Sequence, residues 1–187
     1  VYSAVEDRLI QNNPVAKLPL PKIERTEMRY LNAEEVWHVA DAIDARYRAF
    51  VLVAGFCGLR LGEMLGLRWG RVDLVGRRIQ VSETLVDVES TIHFGPPKTK
   101  ASVRAVSMPS FVADELAAMK GANAAPGDLV FLSPAGTPVR PSQFRVRFWE
   151  PAVRNAGLSP LRIHDLRHTA VSLWIASGAN PKQVAAL

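Results

Sequence analysis

The sequence predicts an α+β fold that is mainly α-helical, with a small three-stranded antiparallel sheet. Apolar residues recur at helical spacing in several segments, and three short central segments alternate apolar and polar side chains. The 187-residue length and the 48% apolar fraction are enough for one well-packed domain and part of another. Residues 1–11 have the pattern of a helix end, and the proline-containing residues 12–30 that of an extended linker. We therefore expect a boundary that separates residues 1–28 from a main domain over residues 29–187.

The main domain begins with two helix patterns. Asn32 and Glu35 have the spacing of a capping box, which predicts a helix from residue 33 to about residue 45. The apolar residues 46–57 predict a second, largely buried helix, and Gly58 is expected to end it.

The sheet is expected from three segments, which are residues 77–86, 91–94 and 103–108. In the third segment, Arg104 and Ser107 are expected to face away from the apolar side. The turn before it carries two lysines, Lys98 and Lys100. A lysine at a hairpin tip is commonly only solvated, but mobile loops also carry catalytic groups, so both interpretations stay open.

Helix patterns return in the second half of the chain. They predict helices over residues 110–120, 141–156 and 164–177. Asn180 and Pro181 have the pattern of an N-cap followed by a proline in the first helical position, which predicts one more helix.

Charge favours a polyanionic partner. The formal net charge is +5, and 17 of the 23 basic residues are arginine, the better reader of phosphate. A GC-rich genome would also explain the arginine excess. The single cysteine, Cys57, cannot form an internal disulfide, which fits a reducing cytoplasm. No apolar run approaches the ~20 residues that span a bilayer, so no membrane partner is expected.

Residues 137–167 form a basic tract with a local net charge of +4. A charge run is often only a solvated face, but this one leads to His164 and Arg167. On a helix these two side chains lie on one face, one turn apart. An imidazole and a guanidinium in that arrangement suit a phosphate group. The arginines of the basic tract are Arg140, Arg145, Arg147, Arg154, Arg162 and Arg167, and its acidic residues are Glu150 and Asp165.

Arg60 is the second candidate for an anion site. It follows Gly58 at the end of the predicted buried helix, where a cation would be held rigidly beside the core. The plainer alternative is an exposed arginine after a glycine turn.

Three motifs, in this order and at these separations, resemble the tyrosine recombinases, the phage integrase family. Residues 58–69 (GLRLGEMLGLRW) resemble the first signature box, and residues 164–169 (HDLRHT) resemble the second, His-x-x-Arg. Residues 97–109 resemble the hairpin that carries the lysine of the family. The resemblance covers residues 29–187 and implies the catalytic-domain fold of that family. Residues 1–28 would then be the end of the preceding core-binding domain and the interdomain linker.

The resemblance also implies a chemistry. The family attacks a DNA phosphodiester with a tyrosine hydroxyl, and a 5′-hydroxyl later attacks the resulting 3′-phosphotyrosyl bond. By resemblance, Arg60 and Arg167 would stabilise the charge on the non-bridging oxygens. Lys98 would protonate the departing 5′-oxygen, and His164 would help in proton handling. Glu63 matches an acidic position that orients the site.

Partners and further contacts follow from the same resemblance. It implies double-stranded DNA as the substrate and a homo-oligomer on DNA for the full-length protein. It implies no cofactor and no metal, and a cytoplasmic location at the nucleoid of a bacterium or of a phage host. Further DNA contacts are expected from the side chains Lys100, Arg140, Arg145, Arg162 and His168.

The nucleophile is where this sequence departs from the pattern. The family places a His or Trp box and then the tyrosine after the helix that Asn180 begins, whereas Tyr2, Tyr30 and Tyr47 all precede Arg60. We expect a chain truncated before its nucleophile, which holds DNA phosphate without cutting it. Two alternatives stay open: a recombinase represented by a fragment, and a non-catalytic DNA-binding remnant of an integrase.

A zinc hydrolase is a rival from another class. His164 and His168 have the i, i+4 spacing of a zinc helix. However, Asp165 is shorter than the glutamate of such sites, and His38 and His93 offer no evident third ligand.

Overall fold

The computed structural model describes residues 2–15, 29–97 and 103–180. Its helices are α1 (Tyr2–Glu6), α2 (Ala33–Ala42), α3 (Arg48–Leu52), α4 (Leu61–Leu65), α5 (Ser110–Met119), α6 (Pro141–Phe144), α7 (Glu150–Asn155) and α8 (Ile163–Ala176). Its strands are β1 (Val72–Asp73), β2 (Arg78–Val81), β3 (Thr84–Val88), β4 (Thr91–Gly95) and β5 (Arg104–Ser107). The predicted fold class, mainly helical α+β with a small three-stranded antiparallel sheet, is confirmed.

The strands form two sheets rather than one. The three-stranded sheet has the order β1-β2-β5, and β3 pairs with β4 in a separate antiparallel hairpin. The predicted strand over residues 77–86 is therefore divided, because the chain leaves the first sheet after Val81. The third strand of the main sheet is β1, whose two residues are too few for alternation to reveal it.

The capping box at the start of α2 is confirmed. The Asn32 side chain accepts a hydrogen bond from the Glu35 N–H at 2.8 Å, and the Asn32 N–H donates to Glu35 Oε2 at 2.9 Å. The helix ends at Ala42 rather than near residue 45, because the backbone of Ile43 is extended. A separate 3₁₀ turn, Ala45–Tyr47, follows.

The core is built around α3, whose residues after Arg48 are all buried. Tyr47 packs edge to face on Phe144 with ring centroids 5.0 Å apart, and its hydroxyl donates to the Leu132 carbonyl at 3.0 Å. Phe50 contacts Phe144 and Phe131 in the same cluster. These contacts hold the end of the helix, and hence the following turn, in a fixed place against the rest of the domain.

A π-helical turn, Val53–Cys57, continues α3 and packs against α8. Gly58 then ends it in the left-handed conformation, with φ of 64°. A Cβ at Gly58 would lie only 3.1 Å from the Trp174 ring and 3.2 Å from Ala170, both on α8. Glycine is therefore required twice here, for the turn and for the close approach of α8.

The second half of the chain follows the predicted helices closely. The predicted helix over residues 141–156 is α6 and α7 joined by a π-helical turn, Arg145–Trp149. Lys98, Lys100 and the helix predicted from Pro181 lie outside the described residues. Among the helices described, none has the length and apolar content needed to cross a bilayer.

Candidate functional site

Arg60 is fixed at the start of α4 by Glu63. Its backbone N–H donates to Glu63 Oε2 at 2.8 Å, and its Nη1 donates to Glu63 Oε1 at 2.8 Å. The Glu63 side chain is 3% exposed, whereas the Arg60 side chain is 48% exposed. A buried carboxylate thus fixes the backbone and one guanidinium nitrogen of an arginine whose side chain is half exposed to solvent.

Arg104, on β5, is the second partner of Glu63. Its Nη1 and Nη2 donate to Oε1 and Oε2 of the carboxylate, each at 2.9 Å, which is the bidentate arrangement of a strong ion pair. The expectation that Arg104 faces away from the apolar side is wrong. It is buried on the same side of β5 as Val106, because the buried Glu63 offers it a partner there.

The ionised form of Glu63 is favoured despite its burial. Burial alone would raise the pKa of this carboxyl group, but hydrogen bonds from Arg104 and Arg60 outweigh it, so the pKa lies below its usual value. Glu63 is therefore a fixed negative charge between two arginines.

α8 begins with the same local arrangement as α4. The Arg162 N–H donates to Asp165 Oδ2 at 2.9 Å, and Arg162 Nη2 lies 2.8 Å from Asp165 Oδ1. Asp165 is buried, which favours a higher pKa, but its hydrogen bonds from Arg162 bring the pKa below the usual value. α4 and α8 thus each begin at an arginine that is paired with an acid three residues later.

Arg167 lies half-buried on α8 and reaches the first box. Its Nη1 donates to the carbonyl oxygen of Gly58, two residues before Arg60. Burial, followed by the positive charges of Arg60 and Arg104, lowers the pKa of Arg167. An arginine keeps its proton at all ordinary pH values, so this shift reports the cost of burying a cation and, after that, its repulsion by two others. The structure thus places Arg60 and Arg104 on the Glu63 carboxylate and brings Arg167 within electrostatic reach of all three. The three arginines are called the arginine cluster below.

His164 stands on the exposed side of α8, beside this cluster. Its ring meets that of His168 edge to face, with centroids 4.8 Å apart, and His168 meets Tyr30 at 6.5 Å. Loss of hydration, followed by the charges of His168 and Arg167, lowers the pKa of His164. Its imidazole is therefore mainly neutral near pH 7 and can accept a proton. Nothing in the sequence patterns linked Tyr30 to this site.

The other predicted DNA contacts are dispersed. Arg140 bonds to Asp87 at 3.1 Å and to the Ser90 carbonyl at 2.8 Å, on the β3–β4 hairpin. Arg145 and Arg162 line a separate cavity of about 610 Å³. Both have exposed side chains, and neither belongs to the arginine cluster.

The described residues offer little for a metal. Across residues 2–15, 29–97 and 103–180, no group of three or more His, Cys, Asp or Glu side chains could hold a metal ion. Asp165, which a zinc-hydrolase interpretation would need, is engaged by Arg162.

Integrases from bacteria and phages have sequences similar to that of this chain. A putative prophage phiRv2 integrase of Mycobacterium tuberculosis is 31% identical over 96% of this chain and 49% of its own length. The ICEBs1 integrase of Bacillus subtilis is 27% identical over 94% of this chain and 51% of its own length. The chain thus spans about half the length of the curated relatives it matches.

Solved structures share its fold. A structure of the Tn1549 transposon integrase in complex with a circular intermediate DNA has a TM-score of 0.79 at 22% identity, over 98% of this chain and 65% of that one. A lambda integrase dimer bound to a core site has a TM-score of 0.63 at 19% identity, over 98% of this chain and 64% of that one. The model of the phage integrase family matches residues 27–187, which include the whole of the predicted main domain. This chain belongs to the phage integrase family.

Proposed function

We propose that this chain is part of a site-specific tyrosine recombinase and supplies the site that binds the scissile phosphate of duplex DNA. The reaction would break and rejoin DNA through a 3′-phosphotyrosyl intermediate. One observation carries the proposal: Arg167, 107 positions after Arg60 in the sequence, donates to the Gly58 carbonyl two residues before Arg60, close enough for the charge of Arg60 to lower the pKa of Arg167. Residues 29–187 would be the catalytic domain, and residues 1–28 the end of a core-binding domain and its linker.

The two guanidiniums would stabilise charge on the phosphate. Attack on a phosphodiester concentrates negative charge on the non-bridging oxygens, and preorganised donors there stabilise the transition state most. Arg60 is anchored through Glu63 and Arg167 through the Gly58 carbonyl, so neither has to find its geometry during the reaction. Both retain further N–H donors for an oxygen atom, since a guanidinium has five.

His164 would handle a proton beside the phosphate. The lowered pKa leaves the imidazole neutral and so able to accept a proton, and a bound phosphate would favour the protonated form by its charge. Lys98, which lies outside the described residues, is proposed to protonate the departing 5′-oxygen.

We assign no nucleophile among the tyrosines of this chain. The hydroxyl of Tyr47 is directed into the core, where it donates to the Leu132 carbonyl. Tyr30 is exposed beside His168, and its contact with that ring supports a packing role. A tyrosine that follows Arg167 in the sequence, as in the family, is proposed to attack the phosphate.

Double-stranded DNA is the proposed partner. The solved lambda and Tn1549 integrases are complexes with DNA, and lambda integrase is seen both as a dimer and as a tetramer bound to a Holliday junction. We propose a homo-oligomer on DNA for the full-length protein, at work in the cytoplasm of a bacterium. Contacts to flanking phosphates are proposed for the exposed side chains Arg145 and Arg162, for the partly buried His168, for Arg140, and for Lys100.

Binding to a labelled duplex over a range of salt concentrations tests the proposal. Affinity is expected to fall steeply as salt rises, because phosphate contacts release counterions. The salt slope is the magnitude of the change in log K with log salt concentration. Arg60→Ala and Arg167→Ala should each weaken binding and reduce this slope by about one. Arg46→Ala, which removes an exposed arginine away from the cluster, is the matched control and should leave the slope unchanged. Binding that is independent of salt, or equal in all four proteins, would contradict the proposal.

A further inference from the structure

Glu63 places a full negative charge inside a site that is proposed to bind an anion. Its carboxylate accepts hydrogen bonds from Arg60 and from Arg104, and it is buried with Arg104 in a pair whose side chains are 3% and 7% exposed. A buried carboxylate with one partner would hold that partner strongly, because little solvent screens the pair. Arg60, which faces solvent, would then be occupied by Glu63 rather than by a ligand.

Arg104 changes this balance. It engages both oxygens of the carboxylate, so Glu63 and Arg104 form a neutral pair within the cluster. Two positive charges, on Arg60 and Arg167, remain for an anion. The fork of Arg104 also fixes the plane of the carboxylate, which leaves Oε1 directed at Arg60 Nη1 and Oε2 at the Arg60 N–H.

We propose that Arg104 is a positioning residue for phosphate binding, which neutralises Glu63 and so leaves the charge of Arg60 to the DNA phosphate. The inference rests on the proposed function, since it assumes that Arg60 binds phosphate. It also gives a reason for burying an arginine on β5. The same pair joins β5, which follows Lys98 in sequence, to α4, which carries Glu63 and begins directly after Arg60.

The test measures duplex DNA binding by this chain and three variants, over a range of salt concentrations and below the melting temperature of each. Arg104→Met should weaken binding severalfold and reduce the salt slope by about one, because Arg60 now compensates Glu63. Arg104→Lys keeps the charge and should keep the slope. In the double variant with Arg104→Met and Glu63→Gln, no carboxylate competes for Arg60, and the slope should return to that of the unaltered chain.

Two results would overturn the inference. One is a folded Arg104→Met protein whose melting temperature falls while its salt slope is unchanged, which is the behaviour of a purely structural ion pair. The other, decisive even if Arg104→Met alone does not fold, is a double variant whose slope stays reduced by about one, since Arg104 would then meet DNA directly. If Arg60→Ala and Arg167→Ala also leave the slope unchanged, the proposed function itself fails. If these two variants reduce the slope but Arg104→Met does not, only this inference is refuted.

Discussion

The guanidinium of Arg167 donates a hydrogen bond to the carbonyl oxygen of Gly58, 109 residues earlier in the chain. The contact joins α8 to the turn that ends the buried segment formed by α3 and its π-helical continuation. Because Arg60 follows that turn by two residues, the same contact sets the separation of the two arginines. The proposed phosphate site therefore depends on how closely three elements approach: the Gly58 turn, α4 and α8.

The approach of β3 to α4 requires a glycine at position 62. A Cβ there would lie 2.5 Å from Thr84 Oγ1 and 2.8 Å from the Leu85 carbonyl oxygen, which is backbone and cannot rotate away. Gly62→Ala is expected to lower the free energy of unfolding by about 1–3 kcal/mol, as overpacking does. Gly121→Ala is the matched control, since its Cβ meets nothing within 4 Å, and should change stability by less than about 0.5 kcal/mol. Urea unfolding of both variants gives the comparison, and equal stabilities would contradict the packing argument.

Sequence patterns predicted the parts of the site that are local in the chain. The helix after His164 and the turn at Gly58 depend on residues a few positions apart, and the structure has both. The family resemblance supplied the roles of Arg60, His164 and Arg167, which remain proposals. Convergence of Arg60 with Arg167 was an expectation of that resemblance, since spacing alone left Arg60 as an ordinary exposed arginine.

What the patterns missed depends on contacts between distant segments. Arginine is a residue type that usually faces solvent on a strand. Glu63, 41 positions away in the sequence, makes the burial of Arg104 favourable. Tyr30 and Leu31 reach α8 in the same way, because the Leu31 N–H donates to Thr169 Oγ1 at 3.1 Å within the core. The split of the predicted sheet has a similar cause, since residues after Val81 pair with a strand that alternation alone assigned to the first sheet.

Acid should weaken the fold through Glu63. Its pKa is lowered in the folded protein, so its ionised form contributes stability that is complete above the unfolded value of about 4.3 and is lost as pH falls through the folded pKa. The stability difference between the unaltered chain and Glu63→Gln should therefore shrink as pH falls below about 4.5. Thermal unfolding from pH 7 downwards measures it. Asp114→Asn, on the exposed face of α5, is the control, and a Glu63→Gln difference that does not change with pH would refute this reading.

His164 should make DNA binding depend on pH. Its pKa is lowered in the free protein, and a phosphate beside it favours the protonated ring, so binding should take up a proton. Affinity should then be highest below the free pKa, which lies under about 6.5, and should fall as pH rises through the pKa of the complex. His164→Gln should remove most of this dependence, whereas His38→Gln on α2 should keep it. Titrations of a labelled duplex between pH 5.5 and 8 at fixed salt would detect it, and identical profiles for both variants would argue against a role for His164.

Covalent chemistry should require a tyrosine placed after Arg167. A nicked suicide substrate traps the phosphotyrosyl adduct, because the partner strand cannot return. Residues 1–187 alone should give no adduct. A protein extended beyond residue 187 to include such a tyrosine should give one if the chain belongs to an active recombinase. In that form Arg167→Ala should abolish the adduct, since one such donor contributes about 3–4 kcal/mol to the barrier. Arg167→Lys should be strongly impaired, because an ammonium cannot reproduce a two-pronged contact.

Gel analysis of these adducts separates the two remaining interpretations. An adduct only in the tyrosine-containing form supports a recombinase, and its absence there, with DNA still bound, supports a non-catalytic DNA-binding protein. An adduct from residues 1–187 alone would mean that Tyr2, Tyr30, Tyr47 or another nucleophile reaches the phosphate.

A crystal structure of this chain on a DNA duplex tests the central claim most directly, because the claim concerns one phosphate. We expect Arg60 and Arg167 to contact oxygens of the same phosphate at hydrogen-bonding distances of about 2.7–3.2 Å, with the His164 ring beside it. Glu63 should remain paired with Arg104 at the rear of the site. Arginines that contact two different phosphates, or a duplex bound on a face that leaves Arg60 and Arg167 in solvent, would contradict the account.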